Sequence, residues 1–194
     1  MDLPDHSTPA PKPAESQPAA PVSTGATISW LRDLMVSVLI AAVVILFLYQ
    51  PVRVEGTSMM PGLIDQERIF INKFAYRFGI SDIQRGDTVV FWYPGDPSKS
   101  FIKRVIGVPG DQVLVKDGEV FVNGAALAEP YVPGDYRDHV STSPKVVPLG
   151  EYFVLGDHRS SSNDSRMWGT VPRRYIYGKA SFVYWPLDRL GLLR

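Results

Sequence analysis

Apolar spacing divides the chain into three stretches. Residues 1–28 are rich in Pro, Ala, Ser and Thr and show no apolar period. Such a composition cannot bury enough surface to offset the entropy of ordering it, so a disordered tail is expected there. From Leu34 to Tyr49 the run LMVSVLIAAVVILFLY carries no charge. With Trp30 and Leu31 in front, it reaches the ~20 residues of a membrane-crossing helix, and it lacks the polar face of a helix buried in a globular core. Gln50-Pro51-Val52-Arg53 follows, with no small-x-small cleavage signal, so residues 29–50 read as an uncleaved anchor with Trp30 and Tyr49 at the two interfaces. Lys12 and Arg32 precede the run and Arg53 follows it, which gives no clear charge bias for topology.

Residues 51–194 change to β patterning. Asp87-Thr-Val-Val-Phe-Trp-Tyr93 is β-branched and aromatic and stops at Pro94-Gly95. Val113–Lys116 and Glu119–Val122 flank Asp117-Gly118, the strongest hairpin signal in the chain. Asn123-Gly124 marks a further turn, and Phe101–Ile106, Tyr152–Leu155 and Ala180–Trp185 read as strands. The predicted fold is mainly β, an antiparallel sheet or partial barrel behind one N-terminal helix. Residues 131–148 read as a loop or insertion. Roughly 140 residues suffice for a single core.

Composition narrows the chemistry. Lys+Arg and Asp+Glu are both 20 and the formal net charge is zero, unlike the basic stripe of a nucleic-acid binder. The Cys count of 0 excludes a disulfide framework, thiolate-held metals and a cysteine nucleophile. Of 3 histidines, only His158 has a structured context; the cluster Asp157-His158…Asn163-Asp164 lacks metal-ligand spacing and reads as a polar turn. No metal or cofactor is expected.

Serine and lysine remain. Ser100-Phe-Ile-Lys103 has S-x-x-K spacing, which works on a helix. On the strand expected here, residues three apart face opposite ways. Ser58, in Val54-Glu-Gly-Thr-Ser-Met-Met-Pro61, sits between a glycine that permits positive φ and a proline that fixes the chain. Taken alone, that motif also suits an ordinary loop serine.

The set of motifs in order is more specific. The apolar helix, Gly56-Thr-Ser58-Met-Met-Pro61, Arg85-Gly-Asp-Thr-Val-Val-Phe91, Phe101-Ile-Lys103-Arg-Val-Ile-Gly-Val-Pro-Gly-Asp111 and Gly156-Asp-His-Arg-Ser-Ser-Ser-Asn-Asp-Ser-Arg-Met-Trp-Gly169 together resemble the bacterial type I signal peptidases, from about Leu34 to the C-terminus. The resemblance implies a membrane-anchored serine endopeptidase with Ser58 as nucleophile and Lys103 as general base. It implies that Ser162 hydrogen-bonds and orients the lysine, that Asp164 and Arg166 form a supporting ion pair beside Asp157, and that Met59 lines the substrate pocket. Some relatives carry a hydroxyl residue at the position of Gly56 to bind the oxyanion; here the Ser58 N–H is the expected donor. His158 stands where relatives commonly have asparagine. The implied partners are precursor proteins bearing signal peptides, cut after a small-x-small motif, and the lipid bilayer, with the catalytic body on the export side of the bacterial inner membrane; oligomeric state is left open. Within proteases, self-cleaving repressor-like Ser–Lys proteins are the nearest rival, but the chain lacks their Ala-Gly or Cys-Gly site. Outside proteases, the rival is an anchored binding module with the same fold.

Overall fold

The computed structural model describes residues 24–77 and 81–193. Positions 1–23, most of the predicted tail, lie outside the described residues. The chain divides into two compact units at Ala42/Val43.

Helix α1 spans Thr24–Leu48. It starts inside the stretch expected to be tail, because the sequence after Pro21 holds no further proline before Pro51, and extending a nucleated helix costs little. It ends before the expected Gln50, since the residue preceding Pro51 is driven out of the α region. Met35, Val36, Val38, Leu39 and Ile40 are all exposed, so the helix is apolar on every side. The expected membrane-crossing helix is not shown: among the described residues no helix is long and apolar enough to cross a membrane.

The second unit is built on a large antiparallel sheet. In chain order its strands are β1 (Tyr49–Arg53), β2 (Arg68–Asn72), β3 (Thr88–Tyr93), β4 (Asp96–Gly107), then, after the small sheet, β9 (Glu151–Leu155), β10 (Val171–Pro172), β11 (Ile176–Trp185) and β12 (Gly191–Leu192). They are ordered β1-β2-β11-β3-β4-β9-β10, with β12 on β11. The small sheet, β7-β6-β5-β8, holds β5 (Gln112–Lys116), β6 (Glu119–Val122), β7 (Ala125–Ala126) and β8 (Lys145–Val146). Its hairpin turns on Asp117 and Gly118, at φ 48° and 77°, the left-handed pair that a two-residue turn requires. The predicted loop 131–148 supplies β8 and a 3-10 turn at Gly134–Tyr136, and is irregular between them.

Strand β3 is buried on both faces. Val89 and Phe91 pack into a cluster with Val105 and Val154, whereas Val90 packs with Val54, Met59 and Ile71 on the other side. This alternation fixes the register of β4 against β3, with Lys103 opposite Val89; a slip by one residue would exchange the faces. Pro51 is tolerated because β1 is an edge strand.

Candidate active site

Ser58 lies on a turn closed from several directions. Gly56 has φ 89°, and its N–H donates to Asp65 Oδ1 at 2.8 Å, which holds the exposed Asp65 carboxyl below its usual range. Val54 N–H donates to Glu67 O at 2.7 Å, Met60 N–H to Thr57 O at 3.1 Å and Leu63 N–H to Met59 O at 2.9 Å. Leu63, 1% exposed, and Met59, 3% exposed, root the turn in the core. From the C-terminal end Arg189 reaches the carbonyls of Pro61 and Gly62, both at 3.1 Å, and ion-pairs with the fully buried Glu67. A serine set in so many constraints has few positions to sample before reaction.

Lys103 comes from the middle of β4. Its Nζ lies 2.6 Å from Ser58 Oγ across a sequence separation of 45, and donates to Ile102 O at 3.1 Å. The residue is 4% exposed, and the Phe101 ring centroid is 5.4 Å from Nζ. Burial brings its pKa down from 10.5 to about 8, against the opposing pull of Asp164 and then Asp157. Ser100 lines the same cleft, but its hydroxyl makes no hydrogen bond to Lys103, as expected for strand geometry.

The Ser162 hydroxyl does not bond to Lys103: it is buried and without a partner among the described residues, while the amine is occupied by Ser58 and the Ile102 carbonyl. Ser162 still adjoins the site. A Cβ built on Gly156 would fall 2.2 Å from Ser162 Oγ and 2.5 Å from Ser58 O, so only glycine fits where these segments meet. The Gly56 N–H is committed to Asp65. The Ser58 N–H has no acceptor among the described residues and remains open.

Behind the pair stands a layer of buried ion pairs. Arg104, the neighbour of Lys103 on β4, forks onto Asp157 at 2.9 and 2.7 Å, and Arg166 forks onto Asp164 at 2.8 and 2.9 Å. Asp164 also accepts the Gly156 N–H at 3.1 Å, and the His158 N–H donates to Ser58 O at 3.1 Å. Thus the 156–166 segment braces the serine turn through the backbone, while its buried charges are paired within it at Asp164–Arg166 and with β4 at Arg104–Asp157. Sequence reading missed Arg104, Glu129, Asp138 and Arg159. Arg159 pairs with Glu129, both about 1% exposed, and Asp138 adds a second carboxylate to Arg166. Arg104 and Arg159 lie inside the quoted motifs, and the rule that buried charges must be paired would have flagged them. Asp138 sits in the irregular loop, where no local pattern marks it. His158 packs edge-on against Tyr136 and contacts Thr57 O through Nδ1; no metal-binding cluster occurs among the described residues.

Beside Ser58 and Lys103 a cleft of about 310 Å³ is walled by Val52, Val54, Met59, Val90, Ile102 and Tyr177, with Asn163 at its polar side. Met59 therefore serves both core and cleft wall.

Comparison with known proteins identifies the family. Residues 27–185 match the family model described as signal peptidase, peptidase S26. The chain is similar to signal peptidase I of Leptolyngbya laminosa, 38% identical over 99% of this chain and 95% of the relative. It is also similar to signal peptidase I T of Bacillus subtilis (strain 168), at 36% identity over 92% of this chain and 96% of the relative. A solved signal peptidase I from Enterococcus faecalis V583 covers 52% of this chain and 98% of its own, at 32% identity and TM-score 0.46. With the family model covering most of its length, and relatives that align nearly end to end, the chain belongs to the signal peptidase family, peptidase S26, and is a serine endopeptidase of that family.

Proposed function

We propose that this chain removes signal peptides from exported precursor proteins at the membrane surface, through an acyl-enzyme formed on Ser58 with Lys103 as general base. The observation that carries the reading is a buried amine 2.6 Å from the serine hydroxyl. Neutral Lys103 takes the Ser58 proton as Oγ bonds to the scissile carbonyl carbon. The oxyanion that forms accepts a hydrogen bond from the Ser58 N–H. Collapse breaks the C–N bond, and the Lys103 ammonium returns the proton to the departing amine. Water, deprotonated by the same lysine, then cleaves the ester and frees Ser58. Asp164, Arg166 and Asp157 act as supports for the 156–166 segment, and Ser162 contributes a polar group next to the serine turn.

Substrate recognition follows from the edge position of β1. An extended peptide can add alongside it, placing alternate side chains in the cleft, whose apolar walls and modest volume favour small residues. Helix α1, apolar on all sides, supports a membrane anchor that holds the cleft where the substrate's own apolar segment lies, with the body on the export side.

The test is cleavage of a labelled precursor by the full chain. Replacing the alanine just before the cut by tryptophan is expected to lower kcat/KM about 100-fold, the scale of ~3 kcal/mol of overpacking. Ser58→Ala should abolish cleavage. Equal processing of both precursors contradicts the pocket, and equal behaviour of Ser58→Ala and wild type would support a binding module.

A further inference from the structure

A second cleft, about 700 Å³, adjoins the first through Ser100 and Tyr177. Its charged lining residues are all cations: Lys73, Arg173 and Arg174, with Gln50 and Ser100 as further polar groups and no acidic side chain. None of the three cations forms an ion pair with a carboxylate among the described residues. Arg173 is set in place by neutral acceptors, donating to Tyr76 O at 2.6 Å and Ile176 O at 3.3 Å, with its guanidinium 5.4 Å from the Tyr76 ring centroid. Asp87, the acid that accepts from the Tyr76 hydroxyl, also ion-pairs with Lys179. The cleft therefore presents uncompensated positive charge and hydrogen-bond donors, which suits an oxyanion such as a phosphate.

The position of the cleft on the chain selects the source of that phosphate. Lys73 donates its backbone N–H to Leu48 O at 3.1 Å, the last residue of α1, and Gln50 lies two residues beyond it, at most about 7 Å along the chain. At the rim Trp92 is 43% exposed and packs on Tyr177 with ring centroids 4.9 Å apart, the aromatic type that collects at bilayer interfaces. We propose that this cleft binds the headgroup phosphate of an acidic phospholipid, seating the catalytic unit on the bilayer. The inference rests on α1 being a membrane anchor.

The experiment uses the full chain in neutral detergent, offered phosphatidylglycerol and phosphatidylcholine together, with retained lipid read by native mass spectrometry. Wild type should prefer phosphatidylglycerol about thirtyfold more than Lys73→Gln/Arg174→Gln does, since each interfacial cation is worth about 1 kcal/mol. The charge-preserving pair Lys73→Arg/Arg174→Lys should keep the preference. Arg174→Gln alone, at an exposed side chain, should lose about fivefold and decides the matter if the double variant fails to fold. Equal preference in wild type and Arg174→Gln overturns the site. Loss of the bound lipid to excess inorganic phosphate assigns the cleft to a soluble anion and overturns the headgroup. A gain in peptide kcat/KM from acidic substrate residues that requires Lys73 and Arg174 in lipid-free detergent assigns it to substrate, and likewise overturns it. Cleavage of a soluble peptide in lipid-free detergent, run beside Ser58→Ala, reports the proteolytic reading separately from lipid preference.

Discussion

Lys103→Arg is expected to lower kcat/KM for precursor cleavage by about 10⁴-fold, as far as Lys103→Ala does. Both variants lose the base, because a guanidinium is not deprotonated in proteins, and general base catalysis contributes up to about 10⁴. Retaining the positive charge therefore rescues nothing. The reason lies in the environment of Nζ: at 4% exposure its pKa falls from 10.5 to about 8. That shift raises the neutral fraction at pH 7 from about 0.03% to about a tenth. Steady-state kinetics of the two variants against wild type provide the check. Turnover by Lys103→Arg within tenfold of wild type would remove Lys103 from the base role.

Lys103→Met, equally inactive, is expected to make the fold more stable at pH 6 by about 3 kcal/mol. The sign follows from linkage. In the unfolded chain the amine titrates near 10.5, and in the folded one near 8. Below pH 8 both states are protonated, and the fold bears the full cost of a desolvated ammonium. Between about 8 and 10.5 the unfolded state binds the extra proton, so stability rises with pH; above that window the lysine costs the fold nothing further. The advantage of Lys103→Met should accordingly shrink through that window and vanish above it. At pH 6 the gain corresponds to roughly 6–12 °C in Tm for a protein of this size. Urea unfolding of both proteins at a series of pH values measures it, and an unchanging difference across the series would show that Lys103 is not held against its solvation.

Local features were legible in sequence where the physics is local. The Asp117-Gly118 hairpin needed only two residues able to adopt positive φ and two alternating strands, and it forms as read. Strand β3 was equally plain, since its burial on both faces requires the continuous apolar run that marks it. The pairing of Ser58 with Lys103 was different. Spacing favours neither Ser58 nor Ser100, and the decision came from the ordered set of motifs; contact across 45 residues depends on β4 being threaded between β3 and β9. The buried ion pairs were less legible still. Asp138 meets Arg166 from the irregular loop, and Glu129 meets Arg159 across 30 positions, so tertiary packing alone brings them together. The Ser162 hydroxyl, expected to reach Lys103, is instead buried without a partner among the described residues, and nothing local in the sequence marks that.

The central claim is an amine whose pKa is lowered by burial beside the nucleophile. It is tested most directly by following the ¹³Cε resonance of Lys103 with pH in the full chain, assigned by its absence in Lys103→Met. The account predicts a titration midpoint near 8. A midpoint at 10.5, the ordinary value for a solvated lysine, would contradict it.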